Sequence, residues 1–166
     1  IVPHDLQLPI KQNREVRIMQ GYNGSFSHQK ATSRFALDFA MKEGDTIYAA
    51  DDGRVVGVIK DYKYGGADLK WTPFANFITV YNDKAKWFTQ YVHLQQDGSL
   101  VKVGDSINAG DPIGIVGTTG YTSKEHLHFN LFKITNTGRG FESIPADFVG
   151  YGDGNNLIKG KMVRLD

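Results

Sequence analysis

The chain has 166 residues, enough to bury one hydrophobic core and too few for two typical domains, so a single domain over 1–166 is expected. Hydrophobic residues at 40% and charged residues at 22% sit near globular averages, which excludes a disordered, fibrous or membrane-spanning chain. With 19 basic against 18 acidic residues the net charge is +1, too little for a broad field that draws nucleic acid or an anionic membrane; the absence of cysteine excludes disulfides and thiolate metal sites, leaving His and carboxylate as the available ligands.

Residues 1–20 lack the charged-then-apolar pattern of a signal peptide, and no apolar run reaches the ~20 residues of a membrane span. The chain therefore reads as mature or truncated. His4, in the leader Ile1–Leu8, reads as a surface residue. Ser27-His28 opens a polar stretch that closes on the apolar Phe35-Ala36-Leu37-Asp38-Phe39-Ala40. A carboxylate embedded there is costly to desolvate unless it meets a cation or a metal. Strand signals follow at Thr46–Ala50, Arg54–Lys60, Phe77–Tyr81, Lys86–Leu94 and Leu127–Ile134, each β-branched or aromatic and bounded by Gly, Asp or Asn. Asp51-Asp52-Gly53 predicts a tight hairpin with positive φ at the glycine and pairing of the strands on either side. Helix is confined to one turn near Pro145–Phe148. Two stretches without alternation, Asp61–Ala75 and Asn136–Glu142, read as long loops of the kind that carry function. The element Gly-Asp-x-Ile occurs three times, at Gly44, Gly104 and Gly110, and suggests duplicated hairpins. Tyr151–Asp166 reads as a Gly- and Asn-rich loop with a strand-like Lys161–Leu165, either closing the domain or leading out of it.

The pair His126-Leu127-His128 lies in a predicted strand, where positions i and i+2 share a face; both imidazoles then project together while Leu127 and Phe129 point into the core. Tyr91-Val92-His93-Leu94 ends another predicted strand and supplies a third imidazole for the same cleft. Glu125 on a strand faces away from His126 and reads as a rim residue.

These segments together resemble the lysostaphin/LytM-type zinc metallopeptidases, whose domain is also called the duplicated hybrid motif. The resemblance runs from about Gln20 to Phe148. It rests on Leu37-Asp38-Phe39-Ala40 with Glu43-Gly44-Asp45-Thr46-Ile47-Tyr48-Ala49-Ala50-Asp51-Asp52-Gly53, on Tyr91-Val92-His93-Leu94, on Val103-Gly104-Asp105 with Ala109-Gly110-Asp111-Pro112-Ile113-Gly114, and on Gly117-Thr118-Thr119-Gly120 before His126-Leu127-His128-Phe129. It implies an all-β domain of antiparallel sheets with groove-forming loops and little helix. Its core spans about 20–148, with 151–166 as an extension or closing strand. It further implies one Zn²⁺ held by His28, Asp38 and His128, with His93 and His126 as catalytic imidazoles. In many members the first His lies four residues before the Asp. That position here is Arg34, and His28, ten residues upstream of Asp38, resembles the version of members with a longer insertion.

Two nitrogens and one carboxylate leave the fourth tetrahedral position of zinc open, as a catalytic site requires. The chain has no His-Glu-x-x-His helix, so a glutamate base of that type is excluded; imidazole, which titrates near neutrality, suits proton transfer and oxyanion stabilisation. The resemblance implies hydrolysis of peptide bonds in bacterial cell-wall peptidoglycan, in the stem peptide or the cross-bridge, by a periplasmic or secreted enzyme. The glycines near the site suit small-residue peptides, and Tyr62, Tyr64, Trp71, Phe74 and Tyr121 are candidate groove walls or ordinary loop packing. Two other classes compete. A non-catalytic LytM-like module that binds or activates a cell-wall hydrolase would lack the ligands found here. A lipoyl-like carrier domain accounts for the Gly-Asp elements but leaves the histidines unexplained and needs a tip lysine that is missing. Oligomeric state has no signature in the sequence.

Overall fold

The structure, a computed structural model, describes residues 5–136, 138 and 140–166. His4 lies outside them, as do Thr137 and Arg139 of the predicted second loop. The described strands are β1 Glu15–Gln20, β2 Leu37–Phe39, β3 Thr46–Tyr48, β4 Gly53–Ile59, β5 Gly65–Gly66, β6 Asn76–Asn82, β7 Trp87–Ser99, β8 Ser106–Ile107, β9 Pro112–Val116, β10 Gly120–Tyr121, β11 Leu127–Ile134, β12 Phe141–Ser143, β13 Asp147–Phe148, β14 Gly152–Asp153 and β15 Met162–Arg164. Eleven of them make one antiparallel sheet with the path β15-β1-β2-β11-β7-β6-β4-β8; β12 adds to β11, and β9 bridges β7 and β3. The five strand signals of the sequence all fall on strands, and the all-β, antiparallel class is the one observed.

Alternation explains the core. In β1 the side chains of Val16, Ile18 and Gln20 turn inward while those of Glu15 and Arg17 stay out. β11 lies between β2 and β7 and is buried along most of its length, so it reads as a near-continuous apolar run; Leu127, Phe129 and Leu131 join Phe39, Tyr91 and Phe148 in the core. The phenol of Tyr91, pushed above its ordinary pKa by burial, donates to Thr89 and accepts from the Ala50 N–H.

Three expectations are corrected. Asp51-Asp52-Gly53 is a corner rather than a hairpin: β3 pairs with β9, whereas β4 pairs with β6 and β8. Gly53 is not among the positive-φ residues; it is needed because a Cβ there would sit 2.5 Å from the Tyr81 carbonyl oxygen. Asp51 directs the chain instead by accepting from the Trp87 indole at 2.8 Å and the Asn82 amide at 2.9 Å. The helical turn expected at Pro145–Phe148 is β13, paired with β14. The loop 61–75 contains β5 and a 3₁₀ turn at Leu69–Phe74, in which the Asp68 carboxylate caps the Lys70 N–H.

The Gly-Asp-x-Ile recurrence is a repeated turn, though not a repeated hairpin. In all three copies the glycine has positive φ (+91°, +98° and +89°), and the aspartate accepts the N–H of the residue three before it, from Lys42, Lys102 or Asn108. Each glycine N–H donates to the carbonyl of one residue on a neighbouring segment, Val116, Val55 or Ala49, and that residue's N–H returns to the aspartate carbonyl. Ile47, Ile107 and Ile113 then enter the core.

Two register features position the site. β11 sets His128 directly opposite Asp38 on β2 and opposite Val92 on β7. Across β6 and β7, consecutive residues Asn76 and Phe77 face Leu94 and Val92, so His93 is the extra residue of a β-bulge. At the far end, β15 pairs with β1, and the segment before it packs Leu157 into the core.

Candidate metal centre

Asp38 reaches the centre because a residue inside an apolar β2 has no other polar environment; only 4% of it is exposed. The register brings His128 Nδ1 to 2.9 Å from its Oδ1. His28, fully buried, comes from the chain of turns between β1 and β2 and places Nε2 at 3.2 Å from the same oxygen and 3.3 Å from His128 Nδ1. The turn is held by the His28 N–H to the Gly24 carbonyl and by the Asn130 and Ser143 side chains, which bind Thr32 and Phe35. The Arg34 guanidinium lies over the Phe35 ring, so the position four before Asp38 takes no part.

His126 Nε2 lies 3.7 Å from Asp38 Oδ1. The His93 ring centroid is 4.7 Å from that of His126 and 6.0 Å from that of His128. The φ of His93 is +72°, a left-handed conformation that costs a residue with a Cβ about 1–2 kcal/mol. The bulge is held open by Asn76, which donates to the carbonyls of Tyr62 and Leu94, and by Thr119, whose hydroxyl donates to Leu94.

Ring orientation is fixed by backbone carbonyls, which can only accept a hydrogen bond. His28 Nδ1–H donates to Gly21 at 2.9 Å, His93 Nδ1–H to Thr119 at 2.7 Å, and His126 Nδ1–H to Lys124 at 2.8 Å. Each of these rings thus keeps Nε2 for the cleft, and His128 alone turns Nδ1 inward. Burial raises the Asp38 carboxyl, but the bonds from His128 and His28 and the charges of His128 and His126 outweigh it and hold it well below the usual carboxylate range. Burial, then the neighbouring His126 and His128, push His93 down to about 3; burial also lowers His128 against the pull of Asp38.

Among the described residues Asp38 meets imidazoles and the Gln20 amide, and no lysine or arginine. Its donor set is what a zinc ion takes: two imidazole nitrogens and one carboxylate oxygen, all within 4.8 Å of one another. His28, Asp38 and His128 therefore fit the group.

Gln20 gave no signal in the sequence. Its Nε2 donates to Asp38 Oδ2 at 2.8 Å and to Ser27 Oγ at 2.9 Å, while its Oε1 accepts from the N–H groups of Phe26 and Ser27. One amide thus ties the Asp38 carboxylate to the turn that bears His28. Gly24 makes room for it, since a Cβ there would lie 2.2 Å from Gln20 Cγ.

A cleft of about 600 Å³ opens beside Asp38 and His126, walled by Tyr22, Phe26, Lys124 and, from the C-terminal segment, Leu157 and Ile158. None of the five predicted groove aromatics lines it. Tyr62, Trp71 and Phe74 pack on one another, and Tyr121 stacks on Phe26 with centroids 5.2 Å apart. Glu125 binds Lys42 and the Glu43 N–H, a rim position as expected.

The profile of Peptidase family M23 matches residues 32–140, more than half of the chain. Lysostaphin from Staphylococcus simulans is 34% identical over 127 residues, 75% of this chain and 23% of that protein. The peptidoglycan DD-endopeptidase ShyB from Vibrio cholerae is 29% identical over 118 residues, 69% of this chain and 25% of that protein. The chain spans about a quarter of the length of these curated relatives. Among solved structures, a zinc containing peptidase from Vibrio cholerae superposes with a TM-score of 0.56 at 27% identity, covering 78% of this chain and 37% of that one. LytU gives 0.57 at 27% identity, covering 78% and 82%. By the extent of the profile match, supported by a fold shared with LytU and a His/Asp cluster of the right donor chemistry, the chain belongs to Peptidase family M23.

Proposed function

We propose that the chain is a single zinc metalloendopeptidase domain that hydrolyses peptide bonds of bacterial cell-wall peptidoglycan in the periplasm or outside the cell. The observation that carries this reading is the convergence of His28 Nε2, Asp38 Oδ1 and His128 Nδ1 beside two further imidazoles whose Nδ1 protons are already engaged. The peptidoglycan DD-endopeptidases among its relatives supply the substrate class.

Zinc held by His28, Asp38 and His128 supplies, when bound, a Lewis acid and an acidified water. The chain's own residues handle the proton. Hydrolysis adds hydroxide to the acyl carbon, breaks the C–N bond and protonates the departing amine, so one proton must travel from the attacking water to that nitrogen. His126 can hold it on Nε2, because its Nδ1–H is committed to Lys124, and in the protonated state the same Nε2–H donates to a developing oxyanion; His93, with its Nδ1–H on Thr119, presents Nε2 beside it, and its buried place disfavours its own protonated form. The Gln20 amide keeps Asp38 aimed, and the imidazoles of His128 and His28 keep it ionised.

Elemental analysis of purified protein should give about one zinc per chain. The zinc-loaded protein should cleave at least one of a panel of peptidoglycans with different cross-bridges, and a chelator should stop it. Zinc-free protein, or full-zinc protein inert on the whole panel, would favour a binding module instead.

A further inference from the structure

The cleft beside Asp38 and His126 does not end there. It shares the lining residues Arg17, Met19 and Lys124 with an adjacent second hollow of about 490 Å³ that reaches Met41 and Lys42, and the two together make the groove. Two carboxylates line that groove, and both are engaged: Asp38 by imidazoles and Gln20, Glu125 by the Lys42 ammonium at 2.9 Å and the Glu43 N–H at 2.8 Å. Three cations remain, Arg17, Lys124 and Lys159, all exposed and none in an ion pair among the described residues.

These cations come from three separate segments. Arg17 is an outward residue of β1, whose carbonyl accepts the Ala40 N–H next to β2. Lys124 sits two residues before His126 and binds its ring through the backbone carbonyl. Lys159 lies in the turn that the Gly160 N–H fastens to Ile18. A chain with a net charge of +1 thus gathers three positive charges, unpaired among the described residues, in the lining of its candidate catalytic groove. Such a lining gains nothing from a neutral glycine bridge and attracts an anionic peptide.

The geometry points to a substrate peptide that carries free carboxylates flanking the scissile bond, as an unamidated stem peptide does, in preference to an amidated or polyglycine one. This deepens the peptidase reading and rests on it. Each exposed cation–carboxylate contact is worth roughly a factor of two to five, and the contribution shrinks with salt. Three together should give the free acid an advantage of about tenfold or more.

The test compares two crosslinked muropeptides of the same sequence, one with free carboxylates and one with those carboxylates amidated, on zinc-loaded protein. A pentaglycine-bridged fragment serves as a third substrate. The expected result is a kcat/KM ratio of acid to amide of about ten at low ionic strength, falling toward one in concentrated salt. The triple variant Arg17→Gln, Lys124→Gln, Lys159→Gln should bring the ratio to about one, with folding followed by thermal unfolding. Equal rates on acid and amide, a preference for pentaglycine, or a preference that survives the triple change or high salt would overturn the assignment. If no peptide is cleaved, calorimetric titration of the same acid and amide separates the two ideas. Tighter binding of the acid keeps the groove assignment and removes the peptidase reading; equal binding removes the groove assignment too.

Discussion

Around Gly44, Gly104 and Gly110 each aspartate is answered by an N–H three residues back, and two backbone bonds to one neighbour complete the turn. Around Asp38 the partners come from 18, 90 and 10 residues away, and the nitrogens of His28 and His128 that meet there are 100 apart. The turns are cheap, since a glycine carries the left-handed φ and a short carboxylate closes the loop at the surface. The centre is expensive, since it buries a carboxylate without a lysine or arginine and forces His93 to φ +72°. The scaffold follows local rules, and the candidate centre breaks them where chemistry gains from it.

The largest blow to this contrast is Asp38→Ala, which removes a proposed ligand and the oxygen shared by His28 and His128. Zinc content should fall to background, and activity with it; full zinc occupancy in that variant would sink the ligand assignment. His128→Ala should do the same. His126→Ala should instead keep its zinc while the rate falls by roughly 10²–10⁴, the usual span for losing one proton-transfer or oxyanion group. His93→Ala should match it, and the double change should cost less than the sum if both serve one transition state. Equal zinc loss at positions 126 and 128 would make both ligands.

Gln20→Ala probes the long-range wiring of the centre without touching a ligand. Loss of such a supporting bond typically weakens metal binding about 10–100-fold. Competition with a chelator of known affinity should show that weakening, while turnover at saturating zinc stays within a few-fold. An unchanged zinc affinity would reduce Gln20 to packing. The smallest effects test local geometry. Gly104 has φ +98° with open space around its Cβ position, so Gly104→Ala should cost about 1–2 kcal/mol, a Tm drop of about 2–8 °C, at unaltered activity. At His93 the same preference should hold: His93→Gly should be more stable than His93→Ala by about 1 kcal/mol, because glycine relieves the left-handed backbone. Denaturant titration measures both.

Much of the fold was legible in the sequence because strands declare themselves by alternation and by β-branched runs bounded with turn residues. The same locality made the Gly-Asp element visible, although not what it docks against, because Val116, Val55 and Ala49 are chosen by tertiary contact. Asp51-Asp52-Gly53 misled because a Gly that permits close backbone approach to Tyr81 looks the same in sequence as a Gly with positive φ. Of the site, the residue types and the His126-x-His128 pairing were readable, and resemblance supplied the roles; the structure brings all five residues together. The bulge that turns His93 inward was hidden, since it follows from Asn76 and Thr119 on other segments. Gln20 was hidden for a similar reason: nothing in Met19-Gln20-Gly21 says that an amide will face a carboxylate 18 residues on.

β15 has only three residues, and it is the outermost member of the sheet beside β1. Lys161 and Arg164 flank and end it, charges that discourage another chain from extending the ladder. Were residues 161–166 clipped away, β1 would uncover the edge that β15 now pairs at Glu15–Arg17 and the Ile18 N–H that now donates to Lys161, backed by Val16 and Ile18, a template for self-association. The far end of the same strand, Gln20, pairs with Asp38 on β2 and not with β15, so the clipped protein would lose solubility before it lost the geometry of the centre.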